Sequence, residues 1–128
     1  MSGEPSITSY RDLLVWQESM ALAVACYVLT RSLPREEMFG LSSQIRRSVA
    51  SVAANIAEGH GRENSRSFIQ PLRIAQGSLK ELETHLLLAE RVGLLESSKI
   101  ASPMAQCDTI GKMLRSLIRS LQRRDAER

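Results

Sequence analysis

Side chains able to do chemistry are thinly spread along this sequence. The only histidines are His60, between two glycines, and His85, one helical turn after Glu81. Glu81 and His85 would supply two metal ligands where a credible site needs three or four. The pair reads as a surface ion pair worth well under about 1 kcal/mol. No serine sits in a Gly-x-Ser-x-Gly elbow with acid and histidine partners. Gly59-His60-Gly61 is no phosphate loop, since no strand precedes it and no Lys-Ser/Thr follows. It reads as a helix stop, because glycine takes the left-handed C-cap conformation cheaply. Two cysteines, Cys26 and Cys107, are too few for a disulfide framework or a metal quartet, and read as reduced core thiols of a cytosolic protein. No enzyme, cofactor or metal is expected.

What remains is charge, and it is unevenly placed. From Lys112 to the end, six basic residues meet two acidic ones, a net +4 in a chain of +3 overall. Lys112, Arg115, Arg119 and Arg123 recur three or four apart and so share one helix face, with Arg124 beside them. A second polar set is Arg46, Arg47, Asn55, Glu58, Glu81 and Glu83. Its expected role is a network of ion pairs and amide hydrogen bonds between helices or subunits, preferred to a ligand pocket. Buried without partners, Asn55 or Glu58 would cost about 1–3 kcal/mol or more.

The elements that must position these groups follow from apolar spacing. In LSSQIRRSVASVAANIAEGHGR, the stretch 41–62, Leu41, Ile45, Val49, Val52 and Ile56 mark one helix face. Serines and alanines fill most of the rest, so this helix is thin and suits a crowded centre or a subunit seam. A helix over about 11–32 carries two apolar sets. One is Leu13, Trp16, Met20, Ala23, Tyr27 and Thr30; the other is Val15, Leu22, Cys26 and Leu29. That arc is wider than a surface helix needs and predicts contact on two sides, the domain's core and another subunit. Leu33-Pro34 ends the helix, and Phe39 in the following link is expected to lid the core.

A third helix, capped by Asn64 or Ser65 and running to Val92, repeats Phe68, Leu72, Ala75, Leu79, Leu82, Leu86 and Ala89 in four-three steps. Pro71 should bend it near its start, and Gly77-Ser78 offers a close helix contact. Gly93 ends it. The fourth helix begins at Glu96-Ser97-Ser98, with Ile100, Met104, Cys107, Ile110, Leu114, Leu117 and Leu121 on its apolar face. Pro103 marks either a kink or a late start. The expected fold is all-α, an antiparallel up-down-up-down four-helix bundle over residues 10–124. Residues 1–9 form a flexible lead-in, and 125–128 a tail. With 43% hydrophobic and 24% charged residues, no signal peptide in MSGEPSITSYRD and no apolar run near 20 residues, a soluble cytoplasmic protein is expected.

Three stretches carry a resemblance: YRDLLVWQ (10–17), FGLSSQIRRSVASVAANIAEGHGR (39–62) and IAQGSLKELETHLLLAE (74–90). Together they closely resemble a bacterial family of four-helix-bundle proteins, first noticed as products of intervening sequences in large-subunit ribosomal RNA genes. Such proteins are sometimes mislabelled ribosomal. The resemblance spans Tyr10 to Leu121, with Asn55–Gly59 and Gly77–Glu83 as its most specific motifs. It implies a homopentameric ring. A related group implies a reverse-transcriptase accessory role, with binding to that enzyme and to nucleic acid. Pro71 departs from the apolar, often aromatic residue of the family pattern.

In a pentamer, five chains of +3 pool +15, a field that attracts polyanions. The expected function is a non-enzymatic scaffold binding RNA or DNA phosphates through Lys112, Arg115, Arg119, Arg123 and Arg124. With no aromatic residue beyond Lys112, base stacking is not expected there. One alternative is an adaptor ring for another protein. A second is a small-molecule site or enzyme at a subunit junction near Asn55 and Glu58.

Overall fold

Apolar periodicity and capping chemistry divide the chain into four helices, and short links make successive helices antiparallel. The computed structural model describes residues 8–62 and 64–127. Its helices are α1 (Leu14–Thr30), α2 (Leu41–His60), α3 (Ser65–Arg91) and α4 (Ser97–Ala126), with 3-10 turns at Tyr10–Asp12 and Arg35–Glu37. Among the described residues there is no strand. Helix α2 packs on α3, α3 on α4, α4 on α1 and α1 on α2, while among the described residues no Cα atoms of the diagonal pairs come within 8 Å. This is an up-down-up-down four-helix bundle.

Local chemistry sets the boundaries. Asn64 Oδ1 accepts from the Ser67 backbone N–H at 2.9 Å and starts α3. At the other end Gly93 takes φ +81. The Leu94 N–H then reaches the Ala89 carbonyl at 2.9 Å and the Gly93 N–H reaches that of Glu90 at 3.0 Å, closing the helix in a Schellman arrangement. Residues 8–12 form a hydrogen-bonded turn where the sequence reads as a lead-in. Ser9 caps the first 3-10 turn, and Asp12 Oδ2 accepts from the Thr8 and Ser9 N–H groups at 3.0 and 3.1 Å. Those bonds, with one from the Thr8 hydroxyl, hold the Asp12 carboxyl below the usual carboxylate range. Residues 1–7 of the lead-in expected at 1–9 lie outside the described residues, as does the last residue of the expected tail.

The core follows the α3 pattern throughout: Leu72, Ala75, Leu79, Leu82, Leu86 and Ala89 are all buried, with Phe68 packed half-buried against them. Ile45, Val49, Val52 and Ile56 meet them from α2. Helix α1 turns in the second of its two sets, Val15, Leu22 and Cys26, with Ser19 and Thr30. Met20 and Tyr27 of the first set are each 41% exposed. On α4, Ile118 and Pro103 are buried, whereas Met104 and Leu117 sit at the core's edge. Both α3 and α4 run through their prolines, so Pro103 marks no late start.

Three sequence-based expectations are corrected. Phe39 lids nothing; it is 90% exposed. Gly59 does not stop α2 by adopting a left-handed turn. It lies within the helix, buried, and a β-carbon there would stand 2.6 Å from Phe68 Cδ1. Its smallness admits α3, and the helix ends two residues later at Gly61 with φ −74. Gly77, expected at a close contact, faces open space.

Cys26 and Cys107 are unpaired and fully buried. Burial pushes both thiols from an ordinary value near 9 up to about 12; at Cys107 the charge of Glu83 adds to this. Unfolding frees these thiols to ionise, so their contribution is intact below pH 9 and is lost as pH climbs towards 12. Denaturant titrations under reducing conditions should show stability falling by up to about 1.4 kcal/mol per pH unit for each thiol in that range. Cys26→Ala should flatten the slope.

Candidate nucleic-acid interface

The basic face of α4 is built by helical spacing alone. Lys112, Arg115, Arg119 and Arg123 line one open cleft with Ser116, with a volume of about 360 Å³. All four cations are exposed. Lys112 Nζ lies 3.4 Å from the Asp108 carboxylate one turn earlier, both exposed, a contact worth little in water. Arg115, Arg119 and Arg123 form no ion pair among the described residues. Three guanidiniums on successive turns therefore present unspent bidentate donors to solvent. Arg124 is also exposed but lies outside the cleft.

A neighbouring groove shares Lys112 and Ser116 with this cleft and is walled by Leu13, Leu14, Met113 and Leu117. The sequence reading missed it, because it forms only when the start of α1 is laid against α4. Leu14, 61% exposed, was its one visible signal.

The second polar set is not one network. Arg46 turns to α1, donating from Nε to Thr30 Oγ1 at 2.9 Å with its guanidinium 5.0 Å from the centre of the Tyr27 ring. Asn55 Nδ2 donates to the Ser51 carbonyl and hydroxyl at 2.8 and 3.0 Å. The Ser51 hydroxyl in turn meets that of Ser78 at 2.8 Å, the one side-chain hydrogen bond between α2 and α3 among the described residues. Glu58 pairs with Arg62, and Glu83 with Lys80, each within about a turn. Arg47 and Glu81 only line a small cleft of about 190 Å³ beside those serines. The expected ion pairs between α2 and α3 are thus replaced by a serine contact and local pairs. His60 packs edge-on against Phe68 with ring centres 6.0 Å apart, away from any acid cluster. Among the described residues no three His, Cys, Asp or Glu side chains gather as a metal site would need.

With this geometry in place, residues 11–116 match the model of the 23S rRNA-intervening sequence protein family. The chain belongs to that family. A crystal structure of a protein of unknown function, from the S23 ribosomal protein family of Bacteroides thetaiotaomicron, is similar. The two are 31% identical with a TM-score of 0.76, covering 82% of this chain and 98% of that one. No curated protein matches. The family match contains Lys112 and Arg115 and ends before Arg119, Arg123 and Arg124. None of the described helices of this chain is long and apolar enough to cross a membrane.

Proposed function

We propose that this protein is a non-enzymatic, cytoplasmic scaffold that self-associates, as a pentamer, and binds RNA or DNA through phosphate contacts on α4. The observation that carries the reading is the row Arg115, Arg119 and Arg123, exposed on one face with no carboxylate partner. Repetition of that row around an assembly multiplies phosphate contacts without new chemistry, and each contact releases counterions. Lys112 and Arg124 flank the row and add charge. The cleft holds no aromatic side chain, so affinity should depend little on base sequence.

Self-association is supported by α1, whose outward face exposes Leu14, Met20, Val24, Tyr27 and Val28. Exposed apolar residues sharing one side of a helix, here interrupted by the exposed Gln17, are what an interaction surface is made of.

Fluorescence anisotropy of labelled RNA and DNA across a salt series tests the nucleic-acid reading. Three phosphate contacts per chain on duplex DNA give a log–log slope near −2.7, or roughly a 40-fold loss between 50 and 200 mM salt; contacts from further chains steepen it. Affinity indifferent to salt would overturn the reading.

A further inference from the structure

Two apolar features of this chain are left uncovered, and they are complementary to one another. The first is a groove of about 570 Å³ between α1 and α2. Trp16, Met20, Val24 and Tyr27 form one wall, and small α2 residues such as Ala50 and Ala54 form the other. No carboxylate lines it. Arg31 does, and Arg11 and Arg46 stack on its two tyrosines, Tyr10 and Tyr27, at 5.7 and 5.0 Å. Aromatic and arginine side chains around a concave apolar surface are what binding hot spots are made of.

The second feature is the link before α2. Phe39 stands 90% exposed and Met38 49% exposed beside it. Glu37 is spent on its own chain, accepting the Leu41 N–H at 3.2 Å. Glu36 is exposed and makes no ion pair among the described residues. The link, with Arg35, Glu36 and Glu37, is therefore an aromatic projection of net charge −1, and the groove is an apolar slot with a basic rim. A phenylalanine ring brings about 150–250 Å² of burial, which a slot of this size accommodates.

Resting on the self-association proposed above, we infer that Phe39 of one copy, with Met38, seats in the α1–α2 groove of the next. Glu36 then faces the basic rim. Donor and acceptor are different patches, so the contact is heterologous, and repeating it closes a ring when the rotation allows. A two-fold contact of α1 on α1 would use one patch twice and stop at a dimer.

The difference is testable by mixing two blocked variants. Phe39→Asp removes the projection and keeps the groove. Val24→Asp charges the groove wall and keeps the projection. Both positions are well exposed (Val24 62%), so each protomer should fold, which circular dichroism checks. The wild type should run as an oligomer in light scattering and each variant alone as a single chain. Their mixture should give a species of two chains and no more, since each variant retains one half of the contact. Trp16, the only tryptophan, lies in the groove and should shift its emission to the blue as the mixed pair forms.

A wild type that is itself a single chain would remove the self-association and this inference together. An oligomeric wild type whose mass survives Phe39→Asp would overturn the inference alone. So would two monomeric variants that fail to pair when mixed.

Discussion

Replacing Arg115, Arg119 and Arg123 together by glutamate should lower RNA and DNA affinity at least about 100-fold and flatten its salt dependence. The three side chains line one cleft and make no ion pair among the described residues, so reversing them breaks no ion pair of the protomer seen there. Each substitution exchanges a phosphate partner for a repelling charge. The loss of three contacts removes about 2.7 from the duplex log–log slope. Thermal stability should stay within a few tenths of a kcal/mol, as is usual for exposed positions outside special structural features. Unchanged affinity in the triple variant, measured by anisotropy at low salt, would assign binding to another surface.

The second large effect is on the fold. Gly59→Leu should destabilise the protein by about 3 kcal/mol in denaturant titration. Even the first added carbon would stand 2.6 and 2.9 Å from the Phe68 ring and 3.1 Å from the Phe68 carbonyl. The ring can swing aside, but the carbonyl belongs to α3, so the helices must part. Overpacking of this kind costs about 1–3 kcal/mol, and a larger side chain sits at the upper end. Gly59→Ala should cost less, since alanine returns up to about 1 kcal/mol of helix propensity. Phe68→Leu should relieve part of the clash, giving a coupling energy between the two sites in a double-mutant cycle. Gly77 supplies the control. It faces open space within α3, so Gly77→Ala should stabilise by about 0.5–1 kcal/mol.

These two glycines show where sequence reading stops. A glycine lacks a β-carbon, and that absence serves either a left-handed turn or a close approach of two helices. Gly93 uses the first and Gly59 the second. Local sequence reports only that glycine is present; the Phe68 ring that decides the matter comes from the next helix. Helix α1 poses the same difficulty. Its apolar residues encircle much of the helix, so period alone did not tell Leu22 and Cys26, which are buried, from Met20 and Tyr27, which are exposed. In α3 one strict four-three seam leaves a single face to bury, and the prediction held at every position but the half-buried Phe68.

The basic face was legible for a related reason. Spacing of three or four on a helix fixes a shared direction whatever packs behind it. Pairing across helices was not legible. Arg46 reaches back to Thr30 and Tyr27 on α1, a contact across ten intervening residues of link that no local pattern announces. Phe39 is no lid: it follows the 3-10 turn at Arg35–Glu37 with its ring in solvent.

The central claim is that α1 and α2 expose more apolar surface than one chain can bury, so that copies join and align their arginine rows. The molar mass of folded wild-type protein at micromolar concentration, by light scattering on a sizing column, tests it most directly. The account predicts a mass of five chains. A single-chain mass from well-folded material would contradict it.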